Sequence, residues 1–168
     1  LLEEYDVSPR RLVIYAYFKA SISKLVKIAI EANWSVWKYD GQGQESIFCK
    51  DEEAVALRKL CPSGINESVF QEYRSHPQRI LFIGSPEAAG QSLTLTPSPA
   101  IVYYSNSFKG QYRTQSEDRI NRDGASHELG IKIIDLIHLP TDKLVIDRIK
   151  AKRDVEVITM EEIENALT

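Results

Sequence analysis

The sequence predicts an α/β fold, a mostly parallel sheet with helices on both faces, and three observations predict it. Apolar runs of strand length, at 11–18, 79–84, 100–104 and 131–138, alternate with stretches whose apolar residues recur at helical spacing. The runs are continuous rather than alternating, as strands covered on both faces are. Their strand-then-helix order implies right-handed crossovers and parallel pairing.

Each element follows in turn. Residues 11–18 are β-branched, aromatic or apolar after Arg11 and read as the first core strand. Over 21–32, Ile22, Leu25, Val26, Ile28, Ala29 and Ala32 fall on one helical face, with Ser21 or Ser23 able to cap it. A short strand at 35–39 ends at the turn pair Asp40-Gly41, followed by polar 42–44. A helix over 51–60, stopped by Pro62 and Gly64, and a second over 66–73 lead to the strand at 79–84. A segment rich in Gly, Ser, Thr and Pro, expected as loop with a short helical turn, precedes the strand at 100–104. A polar helix at 111–121, a strand at 131–138 and an amphipathic helix at 141–152 close the chain. In such a sheet ligands gather at the carboxyl ends of the strands, which singles out the loops after Phe18, Gly84 and Tyr104.

Composition narrows the function classes. With 168 residues, 43% hydrophobic and 27% charged, the chain suits one domain spanning 1–168. No apolar run nears the roughly 18 residues that cross a bilayer, and the amino end lacks a secretory pattern, so an intracellular location and no membrane partner are expected. Cys49 and Cys61 have no Cys or His neighbours at ligand spacing and are read as free thiols, with no metal site. His76, His127 and His138 are scattered and pair with no nucleophile. A net charge of −3 argues against a nucleic-acid binder held by bulk charge, although basic residues outnumber acidic ones from 109 to 153 before an acidic stretch at 154–164. The chain opens on Leu1 and its only methionine is Met160, so a piece of a longer protein is expected, able to carry half a site.

The chemistry-bearing cluster is at 115–124. On a helix Gln115, Arg119 and Arg122 stand at i, i+4 and i+7 and share a face, with Asp118 beside them. Planar, permanently charged guanidinium suits the charge spreading over a transferring phosphoryl group, where an arginine finger accounts for about 10³ to 10⁵ in rate. Spacing alone favours an ordinary solvated helix face, since polar stripes are common. At 51–54 the acidic run Asp51-Glu52-Glu53-Ala54 reads as a helix start, where Asp and Glu oppose the helix dipole, rather than as a metal-binding box.

In this order along the chain, the motifs resemble the C-terminal lobe of superfamily-two helicases, most closely the Swi/Snf-like branch, and the resemblance implies a RecA-like, P-loop NTPase-type sheet. Gln115, Arg119, Arg122 and Gly124 match the family's Gln-x-x-x-Arg-x-x-Arg-x-Gly element, whose arginines contact ATP, while Ala125 stands where a glutamine is usual. The stretch 83–96 is similar to the strand followed by Gly-x-Gly-Leu-Asn-Leu. There Gly90 matches the first glycine, Ser92 replaces the second and Thr94 replaces the asparagine. Residues 12–19 and Tyr39-Asp40-Gly41 resemble the lobe's first strand, nucleic-acid-touching loop and next turn; 42–64 is longer than in relatives, and 141–150 is similar to the closing helix.

The resemblance implies catalytic roles for Arg119 and Arg122, ATP contacts from Gln115, Gly90 and Asp118, and nucleic-acid contacts from Lys19, Ser85 and Thr94. ATP and Mg²⁺ would be held mainly by an N-terminal RecA-like lobe of the same protein, because no Gly-x-x-x-x-Gly-Lys-Ser/Thr occurs here. Nucleic acid, double-stranded DNA in this branch, would cross both lobes, and the chain alone would be inactive. The competing reading is a non-catalytic α/β module that binds a protein partner.

Overall fold

Strand β1 (Arg11–Tyr15) is buried at all five positions and takes a central place in the sheet, because side chains that are mostly apolar on both faces need cover on both. A computed structural model describes residues 1–89, 93–106, 109–121 and 131–151. After β1 come α1 (Lys19–Glu31), β2 (Ser35–Asp40), β3 (Gly43–Ile47), α2 (Glu52–Leu60), α3 (Glu67–Gln71), β4 (Ile80–Gly84) and α4 (Pro86–Ala89). β5 (Ala100–Tyr103), α5 (Gly110–Asp118), β6 (Lys132–Asp135) and α6 (Pro140–Lys150) complete the described elements. These strands form one sheet in the order β3-β2-β4-β1-β5-β6. All neighbours are parallel except β2 and β3.

Two layers cover the sheet. On one face α1 buries Ile22, Leu25 and Ala29 against Leu12, Ile14, Leu81, Ile83 and Val102. On the other, Leu57 of α2, Val69 and Phe70 of α3, the segment at Leu93–Leu95 and Ile120 beyond α5 pack on Val13, Trp37, Phe82, Ile101 and Tyr103. Right-handed crossovers that travel in opposite directions along a sheet must lie on opposite faces. The chain leaving β1 heads for β2 over the α1 face, whereas the chain leaving β5 heads for β6 on the other. Their diverging loops open a crevice between the carboxyl ends of β1 and β5, the topological switch point where ligands of open α/β sheets sit.

Several expectations shift in detail. Residues 43–47, read as polar turn and uncertain ground, are the edge strand β3, paired antiparallel to β2 through the two-residue loop Gly41-Gln42, so the sheet is mixed. Gln42 N donates to Asp40 Oδ1 at 2.8 Å and Gly43 takes φ 115°, the left-handed conformation the hairpin needs. α1 begins earlier than predicted, at Lys19, with Phe18 at its N-cap making no side-chain cap bond, so neither Ser21 nor Ser23 caps it. Its end is a Schellman turn: Asn33 takes φ 59°, Asn33 N donates to Ile30 O, and Trp34 N donates to Ala29 O. Asp51 caps α2 by accepting from Ala54 N at 2.7 Å, which bears out the helix start at the acidic run. No His, Cys, Asp and Glu group able to hold a metal occurs among the described residues. Both cysteines are buried free thiols whose pKa burial pushes up. No described helix is long and apolar enough to cross a membrane.

At the amino ends of the strands a charged residue holds the layers together. Arg11 is fully buried, and its guanidinium donates to the carbonyls of Phe70 at 3.0 Å, Val69 at 3.3 Å, His76 at 2.5 Å and Gln78 at 2.5 Å. Burial pulls its pKa down to about 10, which leaves it protonated at neutral pH. Replacement by methionine strands those acceptors away from water, and Arg11→Met is expected to lower the unfolding free energy by about 3 kcal/mol in urea titration. Arg11→Lys should recover only part of the loss, because an ammonium lacks the fork that spans several carbonyls.

Candidate functional site

Helix α5 overlooks the carboxyl ends of β5 and β6, and its inward face is polar. Arg113 and Ser116 are its buried residues, and Ile120 follows on the same face. The Arg113 guanidinium lies 3.7 Å from the centroid of the Tyr103 ring, donates to Glu117 Oε1 at 2.6 Å and Asn106 Oδ1 at 2.9 Å, and forms a forked pair with both oxygens of Asp135. Burial alone would lower its pKa, but the bonds from Asp135 and Glu117 outweigh it and hold the pKa above the ordinary value. One turn on, Ser116 Oγ shares a 2.6 Å hydrogen bond with the Tyr103 hydroxyl. These contacts fix the rotation of α5, so its other face turns outward, with Gln115 and Asp118 exposed.

Arg119 is the C-cap of α5, one turn past Gln115, in right-handed helical conformation with φ −70° and ψ −25°. The helix is shorter than the 111–121 expected, since Ile120 N tightens to Glu117 O and the Arg119 carbonyl turns to accept from Leu95 N at 2.8 Å. Gln115 and Arg119 nevertheless keep the i, i+4 relation along continuous helical backbone. The Arg119 side chain is half-buried, and its charge opposes the upward shift that burial and Tyr103 impose on the Tyr15 phenol at the end of β1. Arg122, Gly124 and Ala125, and likewise Gly90 and Ser92, lie outside the described residues.

The remaining predicted contacts divide into two places. Lys19 and Ser85 follow the adjoining strands β1 and β4, whose ends are tied by Ala16 N donating to Gly84 O at 3.0 Å. Lys19 is exposed at the first position of α1; Ser85 caps α4 by accepting from Ala88 N at 3.0 Å. Gly84 must stay small there, because a Cβ would stand 2.9 Å from the Phe82 ring and 3.0 Å from Tyr39 O. Thr94 is held on the other layer: its N donates to Glu67 Oε1 at 2.9 Å and its carbonyl accepts from Gln71. Between these places the crevice is walled by half-buried Tyr17 and exposed Phe18, with Tyr17 N donating to Ser105 Oγ at 2.9 Å across the switch point.

Sequence reasoning missed Arg113, Tyr103 and Asp135. The i, i+4 pairing of Arg113 with Glu117 was the available signal, but it does not distinguish a buried ion pair from a surface one.

No protein-family model matches this sequence, and no curated protein does. Among solved structures, the crystal structure of the C-terminal part of the Fun30 ATPase domain aligns with a TM-score of 0.61 at 17% identity, covering 91% of this chain. The two share a fold. That fold is the RecA-like α/β sheet expected from the sequence, and this chain spans 42% of the Fun30 chain. At that identity the likeness to Fun30 extends to architecture, and the roles of side chains rest on their own geometry.

Breaking the Arg113 pair should uncouple α5 from the sheet. Arg113→Ala is expected to cost about 3 kcal/mol, because it leaves Asp135 buried without its cation. Glu117→Ala, at a carboxylate one-third exposed, should cost under about 1 kcal/mol. A double-mutant cycle in chemical denaturation between Arg113→Ala and Asp135→Ala should return a coupling above about 1 kcal/mol; additive losses would show that the pair holds nothing.

Proposed function

We propose that this chain is the second motor lobe of a nucleic-acid-dependent ATPase of the helicase or translocase type, supplying arginine fingers to a nucleotide held chiefly by a preceding lobe. The observation that carries the reading is the position of half-buried Arg119, one turn past Gln115, at the end of a helix locked onto the carboxyl end of β5 through Ser116 and Tyr103. The architecture shared with the C-terminal part of an ATPase domain supports it. So does the order of the motifs, in which Arg122 follows Arg119 by three residues.

The donor set fits the outer side of a triphosphate. An amide at Gln115 and a guanidinium at Arg119 offer hydrogen-bond donors to anionic oxygens, and neither is a chelator of Mg²⁺. Mg-ATP would supply the phosphoryl group and its electrophilic activation from the other lobe, as the absence of a phosphate-loop sequence in this chain requires. Arg119 and Arg122 would then stabilise charge on the phosphoryl oxygens as the lobes close, excluding water from the crevice. Gly90 and Asp118 complete the proposed nucleotide contacts.

Nucleic acid, in this reading double-stranded DNA, would run past Lys19, Ser85 and Thr94, held by its backbone. Exposed Lys24 and Lys27 continue the positive face of α1 beyond Lys19. Closing and opening of the lobes would step the protein along the duplex.

In the protein carrying both lobes, Arg119→Ala or Arg122→Ala is expected to lower DNA-stimulated kcat by about 10³. In Arg119→Ala the thermal midpoint of this chain should stay within about 2 °C, since the Arg113 pair is kept. An unchanged hydrolysis rate in both variants would instead favour the binding module. Lys19→Ala together with Lys24→Ala should weaken DNA affinity and flatten its salt dependence by roughly one to two counterions, read from binding isotherms across a salt series.

A further inference from the structure

A phenol stands beneath the crevice with no stated task. Tyr15 closes β1, is fully buried, and its hydroxyl has no hydrogen-bond partner among the described residues. Its ring is gripped on two sides, edge-on by Phe82 at 5.9 Å between centroids and stacked on Tyr103 at 5.7 Å with 23° between planes. A phenylalanine would fill this place at lower cost, because a hydroxyl taken out of water without a partner is destabilising. Tyr103 meets its own hydroxyl's need through Ser116, so the two adjacent phenols differ in that one is bonded to α5 and the other is kept in reserve.

The geometry supplies the missing partner. Arg119 follows Ser116 by three residues and so lies beside it at the end of the helix, on the flank between the buried and the exposed face. Ser116 is anchored on Tyr103, which stacks on Tyr15, and the Arg119 backbone is anchored on Leu95 N, so the half-buried Arg119 side chain starts from a fixed point beside this stack. Burial pushes the Tyr15 phenol far above its ordinary range and neighbouring Tyr103 adds to this, while the positive charge of Arg119 opposes both. The phenol therefore stays neutral and able to accept.

We propose that Tyr15 is a positioning residue for Arg119, its buried hydroxyl accepting a hydrogen bond from the guanidinium as the lobes close and holding it over the β1–β5 crevice. The inference rests on the motor reading above and deepens it. Hydrogen bonds of this kind are commonly long in an open site and tighten only when the reacting complex forms. A flexible arginine loses reach by sampling rotamers that a fixed acceptor would exclude, and the loss appears in the chemical step.

Tyr15→Phe tests it, because the variant keeps the ring, its stacking and its fold. The thermal midpoint of the chain should hold or rise. In the two-lobe protein, DNA-stimulated kcat should fall about tenfold with KM for ATP changed less than about twofold. Tyr15→Phe combined with Arg119→Ala should be no slower than Arg119→Ala alone, since a positioning residue has nothing left to position. A wild-type kcat in Tyr15→Phe, or losses that multiply in the double variant, overturns the proposal while leaving the motor reading intact provided Arg119→Ala is slow. If Arg119→Ala itself hydrolyses ATP at the wild-type rate, the motor reading fails and this proposal with it.

Discussion

The Arg113 guanidinium, clamped between the Tyr103 ring and the carboxylates of Asp135 and Glu117, is the interaction on which the site's geometry depends. A buried charge is costly unless every face of it is answered, and here a π-face, two carboxylates and the Asn106 amide answer it. Because those partners come from β5, the loop after it, β6 and α5 itself, the helix can neither roll nor slide without stranding the charge. Rigidity bought in this way sets α5 in one rotation. Gln115 and Asp118 are exposed as a consequence of Arg113 being buried.

The row of side chains beneath α5 is aromatic where those that α1 itself packs on are aliphatic, and the difference follows from what each must carry. Trp37, Phe82, Tyr15 and Tyr103 form a row across β2, β4, β1 and β5, with successive ring centroids 5.1, 5.9 and 5.7 Å apart. Flat rings in edge and stacked contact fill a layer with few rotamers, and two of them bring hydroxyls to the level where the polar helix begins. The α1 side needs no such handles. Ile22, Leu25 and Ala29 meet Leu12, Ile14 and Val102, and the helix is fixed by shape and by its Asn33 turn. One layer is a support and the other is an instrument, and the switch point lies between their outgoing loops.

How much of this was legible in the sequence depended on whether local pattern and tertiary cause coincide. β1, β4 and β5 were readable because burial on both faces leaves an unbroken apolar run, and Asp51 was readable as a cap because capping is a local act. β3 was not, since Gln44, Glu45 and Ser46 lie on an exposed edge strand and carry the composition of a loop; what makes them a strand is β2 alongside. β6 was overextended because Leu136 and Ile137 continue the apolar run after the chain has left the sheet. At the site, the i, i+4 relation of Gln115 and Arg119 was visible from spacing. Arg113 was not, because the buried side of α5 has Arg and Ser where a helix normally shows apolar residues, and only the Tyr103 and Asp135 partners distant in sequence make that burial possible.

The backbone bond from Leu95 N to the Arg119 carbonyl joins two regions that the motor reading assigns to different ligands. Thr94, on the proposed nucleic-acid side, is pinned by Glu67 and Gln71 of α3, and its chain neighbour Leu95 is pinned to the end of α5. Leu93 and Leu95 are themselves buried in the aromatic layer, so the segment is a packed strut rather than a loose connection. Any displacement of 93–96 must either carry the Arg119 backbone with it or break a hydrogen bond in a dry environment, which costs about 1–3 kcal/mol. Coupling between sites requires such a shared element with two arrangements, and proximity alone does not provide it. The strut supplies a shared element: Thr94 stands one residue and one hydrogen bond from the backbone of the arginine proposed to face the phosphates.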